Sequence, residues 1–161
     1  MLKNKQKLAD DMAEIIRKSV AHTLAVMFNT SIDACQNVSK SPSVDDFIYC
    51  SEFLQEDAHA HILFLFDREL IEKFVHGIFP PEALEDPLVY ESTASEIVNI
   101  VGNSLKQYLN LHGYHFEMAI PYSPEPGQHI PAGGGPLVQM AFSCKSESEI
   151  GVDFYLRGAT A

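Results

Sequence analysis

Glu96 and Asn99 stand three residues apart in "ESTASEIVNIVGNSLKQYL", residues 91–109, a stretch that otherwise reads as helix. On a helix this spacing sends a carboxylate and a carboxamide out from adjacent turns in one direction. The carboxylate accepts hydrogen bonds and the amide both donates and accepts them, so the pair is suited to engaging another molecule by hydrogen bonding. At roughly 100° per residue, Ser92, Asn103, Lys106 and Asn110 share the same face within about 80°. The segment also places Asn99, Gly102 and Asn103 close together, although Gly costs a helix roughly 1 kcal/mol relative to Ala and Asn somewhat less. A solvated face that happens to carry Glu and Asn is the simplest account. Yet a surface without other duties is better served by Ala, Lys, Gln or Glu. Small, weakly charged side chains leave room for another protein's backbone, and Gly102 is expected to add to that clearance.

Other chemistry-bearing residues make weaker patterns. His59 and His61 alternate onto one face of a strand, without an obvious third ligand for a metal. "AGGGP", residues 132–136, lacks the Gly-Lys-Ser or Gly-Lys-Thr ending of a phosphate loop and reads as a strand connector. Ser123 in "YSPEPG" has no His and Asp partners that would activate it. Cys35, Cys50 and Cys144 are widely spaced and form no CxxC, so they are expected to be reduced thiols.

The elements that must position the Glu96 face can be read along the chain. Leu8, Met12, Ile15, Ile16, Val20, Leu24 and Met27 recur at helical steps, predicting a first helix from Leu8 to about Phe28. The polar run Thr30–Ser43 is expected to end it without further regular structure. "DFIYCSEFLQ" and "AHAHILFLFDR" read as a hairpin turning at Glu56 and Asp57. "RELIEKFVHGIF" places Leu70, Phe74, Val75 and Ile78 on one helical face, and Pro80-Pro81 stops it. Asp86-Pro87 opens the long helix and Gly113 closes it. In that helix Ala94, Ile97, Val98, Val101, Leu105, Tyr108 and Leu109 should face a sheet. "HFEMAI", "LVQMAFSC" and "EIGVDFYLR" read as strands, the last two joined through a turn at "KSESE". The predicted order is helix, two strands, two helices, three strands, an α+β domain with helices packed on a largely antiparallel sheet. "DDMAEIIRKSV" faintly echoes "STASEIVNIVG", matching Glu14 and Arg17 to Glu96 and Asn99.

The chain of 161 residues suits a single domain spanning 1–161. Its 46 % hydrophobic and 20 % charged content is that of a globular protein rather than a disordered one. No segment approaches the roughly 18 apolar residues of a membrane span, and the polar start "MLKNKQKLADD" lacks a signal-peptide core, so a cytoplasmic location is expected. A net charge of −11 argues against nucleic-acid binding, which needs clustered Lys and Arg.

The pattern S-x-x-x-E-x-x-N at Ser92, Glu96 and Asn99, followed by Gly102-Asn103 and by Pro121, resembles the motif of the CheC, CheX and FliY phosphatases of bacterial chemotaxis. The interval from Asn99 to Pro121 is one residue shorter than that family's usual spacing. With Arg17 where a first-half Asn would stand, only one motif is intact, which resembles the CheX type. The resemblance implies a CheC/CheX-like fold, a homodimer, and hydrolysis of the aspartyl phosphate of a CheY-type receiver domain. It implies that Asn99 orients the attacking water and that Glu96 pairs with the receiver's active-site lysine. Ser92, Asn103 and Lys106 would line the docking surface. No cofactor of the chain's own is implied, because the receiver supplies Mg²⁺ and a lysine. Beside this reading stand a non-catalytic receiver-binding or signalling adaptor module of the same fold, and a self-associating domain whose polar stripe is merely wet.

Overall fold

A computed structural model describes residues 2–40, 45–125, 134–144 and 148–158. The elements run α1 (Leu2–Phe28), β1 (Ile32–Gln36), β2 (Phe47–Leu54), β3 (Ala58–Phe66), α2 (Arg68–Ile78), a 3-10 turn (Pro81–Glu85), α3 (Pro87–Leu111), β4 (Glu117–Met118), β5 (Val138–Cys144) and β6 (Ser148–Gly158). The strands form one antiparallel sheet in the order β1-β5-β6-β3-β2-β4. The fold is α+β, as the pattern of elements predicts.

Local chemistry sets the helix limits. In α1, Met12, Ile16, Val20 and Leu24 recur every fourth position and are fully buried. Asn29 then takes a left-handed conformation (φ 49°), and Thr30 N–H turns back to donate to the Leu24 carbonyl at 3.0 Å, satisfying one of the acceptors at the helix end. The side chain of Asp86 accepts from Leu88 N–H at 3.0 Å, and Pro87 occupies the first turn of α3. At the far end Gly113 (φ 102°) lets Tyr114 N–H return to the Leu109 carbonyl at 3.1 Å.

Three expectations need correction. The first helix begins at Leu2, not Leu8, because a nucleated helix extends through polar residues at little cost. The segment read as featureless beyond Thr30 contains β1, which pairs with β5 through Ile32↔Cys144 and Gln36↔Ala141 with a bulge between Ile32 and Ala34. An edge strand needs few apolar residues, so "IDACQ" shows little strand signal. "HFEMAI" contributes only Glu117–Met118 as regular strand, continued by a bridge between Cys50 and Tyr122. The expectations at 41–43, 132–133 and 145–147 lie outside the described residues.

α1 and α3 lie side by side on one sheet face, α1 over β5 and α3 over β2 and β3. The core between the layers includes Phe53, Phe64, Phe142, Phe154, Ile97 and Val101, each fully buried. Reversing the strand order exchanges β1 with β4, β5 with β2 and β6 with β3, so the topology has an internal two-fold about the β3–β6 pair. α1 and α3 conform to it, packing antiparallel: Ser19 meets Ser104 (Oγ to Oγ 3.3 Å), and Tyr108 donates to Asp11. The echo of Glu14 and Arg17 in Glu96 and Asn99 therefore falls on two helices that the topology makes equivalent.

On the opposite sheet face Lys40 seats against Gly151 of β6. Its Nζ bonds Asp67 at 2.9 Å and Asp46 at 3.0 Å, with the Lys40 and Asp46 side chains only 2 % exposed. A Cβ on Gly151 would lie 2.6 Å from Lys40 Cβ, so the close seat requires glycine. Asp67 in turn exchanges bonds with Glu149, its N–H donating to the Glu149 carbonyl and its carboxylate accepting from Glu149 N–H at 2.7 Å. Burial works against the Lys40 charge, but the hydrogen bonds and charges of Asp67 and Asp46 outweigh it and raise the ammonium above its ordinary pKa. Lys40→Met leaves Asp46 buried without its ammonium and is expected to cost about 3–5 kcal/mol at neutral pH by urea unfolding. A raised lysine pKa gives stability that is complete below the unfolded value and lost on titration upward. The gap between wild type and Lys40→Met should therefore narrow above about pH 10.4.

Candidate functional site: an exposed helical ridge

α3 is buried along Ala94, Ile97, Val98, Val101, Leu105 and Leu109, all 0 % exposed, which turns its other side outward. Ser92 and Glu96 are exposed on that side, while Asn99, Asn103, Lys106 and Asn110 are half-buried along the same ridge. Glu96 makes no hydrogen bond or ion pair among the described residues. Its counterpart under the internal two-fold is fully committed: Glu14 accepts from Arg17 at 2.6 and 3.1 Å and pairs with Lys18 at 3.3 Å. The hydrogen bonds from Arg17 and then Lys18 hold the Glu14 carboxyl below its ordinary pKa. Of the two related glutamates, only Glu96 keeps its acceptor oxygens free for a partner.

Asn99 projects one turn beyond Glu96. Asn103 does not simply face solvent, for its Nδ2 donates to the Asn99 carbonyl at 2.8 Å and lies 3.4 Å from Asn99 Oδ1. Ser92 and Lys106 flank this trio from opposite ends of the ridge. The expected residues thus share one surface, but Asn103 turns inward to its neighbour. Three further expectations about this helix change. Gly102 gives no clearance to a foreign backbone: it is buried, and a Cβ there would lie 2.3 Å from Met118 Cε and 3.5 Å from Phe53 Cζ. The glycine admits the chain's own strand. Asn110 is likewise internal, donating to the Phe116 carbonyl at 3.0 Å and accepting from Phe116 N–H at 2.8 Å. Tyr108 faces α1 rather than the sheet, and burial followed by its bond to Asp11 pushes its hydroxyl up to about 12.

These contacts fix where the polypeptide goes after the helix. From Asn110–Phe116 to Gly102–Met118 it runs back toward the N-terminal half of α3. Ala119 N–H then donates to the Glu52 carbonyl at 2.8 Å, and Ser51 Oγ donates to the Ala119 carbonyl at 2.6 Å. Pro121 follows in this outer strand, where a residue without an N–H is tolerated, and Ile120 beside it is 85 % exposed. Helix and strand brace each other, so the ridge rests on rigid elements on both sides. The support from Met118 and Asn110 had a weak sequence signal: a glycine inside a helix followed by a strand bearing a long flexible side chain.

The ridge is convex. A cleft of about 460 Å³ lies instead at the start of α3, lined by Phe47, Arg68 and Tyr90 among others, with Arg68 stacked 4.3 Å over the Phe47 ring. His59 sits 3.3 Å from Glu52, and His61 packs edge-on against Tyr155, both on the sheet face away from the helices. No cluster of three or more His, Cys, Asp or Glu among the described residues is arranged to hold a metal ion. Among those residues no helix is long and apolar enough to cross a membrane.

No protein-family model matches the chain and no curated protein matches it in sequence. Its fold, however, is found in solved structures. A CheC-like superfamily protein from Shewanella sp. PV-4 superposes with a TM-score of 0.68 at 19 % identity, covering 92 % of this chain and 98 % of that one. The chemotaxis protein CheX from Vibrio vulnificus gives 0.66 at 14 % identity, covering 91 % and 99 %. The CheX of the CheX–CheY–BeF3–Mg²⁺ complex from Borrelia burgdorferi gives 0.64 at 15 % identity, covering 90 % and 97 %. The chain has the CheC/CheX fold, as the resemblance of its motif implied.

Removing the Asn110 amide strands the N–H and carbonyl of Phe116, a residue only 3 % exposed. Asn110→Ala is expected to lower stability by about 1–3 kcal/mol. Hydrogen exchange should show faster exchange at Phe116 and Met118 with α1 unaffected.

Proposed function

We propose that this protein is a phosphatase for the aspartyl phosphate of a CheY-type receiver domain, acting through Glu96 and Asn99. The observation that carries this reading is the contrast between the two related helices: Glu96 stands exposed and uncommitted beside Asn99, whereas Glu14 is neutralised by Arg17 and Lys18. The fold shared with a CheX solved in complex with CheY, BeF3 and Mg²⁺ supports the choice of partner. A net charge of −11 gives no general attraction to an acidic receiver, so recognition is local to the ridge.

On this reading the convex ridge enters the receiver's site, which brings its own Mg²⁺ and lysine. Glu96 accepts a charge-assisted hydrogen bond from that lysine and sets the register of docking. Asn99 orients one water in line with the phosphorus. The water oxygen bonds to phosphorus as the bond to the aspartyl oxygen breaks. The electron pair stays on the aspartate carboxylate, and the water's protons pass to the departing inorganic phosphate and to solvent. A neutral amide suits this place because a carboxylate would add negative charge beside an anionic phosphoryl group. Ser92 and Lys106 line the docking surface. The reading includes a homodimer, which light scattering across a range of concentrations would detect.

A receiver phosphorylated with a small phosphodonor provides the test. Asn99→Ala should slow phosphoryl decay by about 100-fold, consistent with loss of a positioned water, while affinity for the beryllofluoride-loaded receiver changes less than about threefold. Glu96→Ala should weaken both. Tight binding with no acceleration by the wild-type protein would instead establish a receiver-binding adaptor.

A further inference from the structure

We infer that Asn103 is a positioning residue for Asn99, holding its carboxamide in the one orientation that presents an acceptor to the attacking water; this rests on the phosphatase reading above. The orientation of both amides follows from chemistry. A backbone carbonyl only accepts, so the 2.8 Å contact with the Asn99 carbonyl must be made by Asn103 Nδ2. The second N–H of the same nitrogen is then the group nearest Asn99 Oδ1, at 3.4 Å. An oxygen there is attracted and an NH₂ would be repelled, so Asn99 keeps Oδ1 toward Asn103 and Nδ2 away from it. Oδ1 retains a second lone pair for a water hydrogen. With its amide reversed, Asn99 could only donate to the water from that position.

The distance of 3.4 Å is long for a hydrogen bond, so the contact biases the amide in the free protein, and closure on a partner has room to shorten it. Asn103 touches neither the water nor the phosphoryl group. It acts through Asn99.

A threonine separates this role from simple support of the helix. In this protein Thr93 donates to the Val89 carbonyl at 2.8 Å and Thr23 to the Ser19 carbonyl at 2.7 Å, each to the residue four before it. Asn103→Thr should likewise keep the bond to the Asn99 carbonyl, but its single hydroxyl proton is then used and none is left for Oδ1. Asn103→Leu removes both bonds at similar volume. Both variants should lower kcat about tenfold, with KM and affinity for the beryllofluoride-loaded receiver unchanged, and Asn103→Thr should melt within a degree or two of wild type. In an Asn99→Ala background, Asn103→Thr should have no further effect on kcat. Wild-type kcat in Asn103→Thr would overturn the inference while leaving the phosphatase reading in place. A raised KM at unchanged kcat would also overturn it and make Asn103 a docking contact. Failure of the wild-type protein to accelerate decay would overturn both.

Discussion

The apolar stripe of α3 must be covered along its length while its other side stays open, and nearly everything else in the molecule serves that division. Ile97, Val98, Val101 and Leu105 are sealed against β2, β3 and their neighbours, burying enough apolar surface to outweigh the weak propensity of Asn99, Gly102 and Asn103. The same glycine that weakens the helix lets Met118 seat against its backbone, and the Asn110–Phe116 pair of hydrogen bonds holds the returning strand in register. α1 closes the remaining flank through Ser19–Ser104 and Asp11–Tyr108. A ridge supported from beneath and from both sides loses little entropy when a partner meets it.

The internal two-fold shows what distinguishes one helix from its equivalent. Both α1 and α3 are long, both cover the same sheet face, and both expose a glutamate at the matching position. What differs is the pair of residues one turn later. Arg17 is long enough to fold back and satisfy Glu14 within its own helix. Asn99 is short and carries no charge, and Ile100 beside it offers no side-chain donor. The difference between a self-satisfied surface and one with free acceptors therefore lies in two adjacent side chains, Arg17 and Lys18 in α1 against Asn99 and Ile100 in α3.

How much of this was legible in the sequence depends on how local each cause is. The limits of α3 were, because Asp86-Pro87 and Gly113 act on their own turns of backbone. The buried and open faces were too, since periodicity follows from helix geometry alone. β1 was not: its few apolar residues gain their strand from Cys144 to Ala141, more than a hundred residues away. Gly102 read as an open notch because its occupant, Met118, comes from an edge strand only two residues long. Asn103 and Asn110 looked like members of one solvated stripe. Their partners, a neighbouring amide in one case and the Phe116 backbone in the other, are not encoded in the spacing that placed them there.

The convexity of α3 has a consequence for selectivity. A protruding side chain encloses nothing, so a small phosphate ester resting against Glu96 and Asn99 would keep most of its hydration shell and gain little by staying. Only a macromolecule with a concavity of matching depth can displace that water over a large area. On the proposed reading, discrimination against the abundant phosphorylated metabolites of a cell would follow from curvature, with no dedicated filter needed to exclude them.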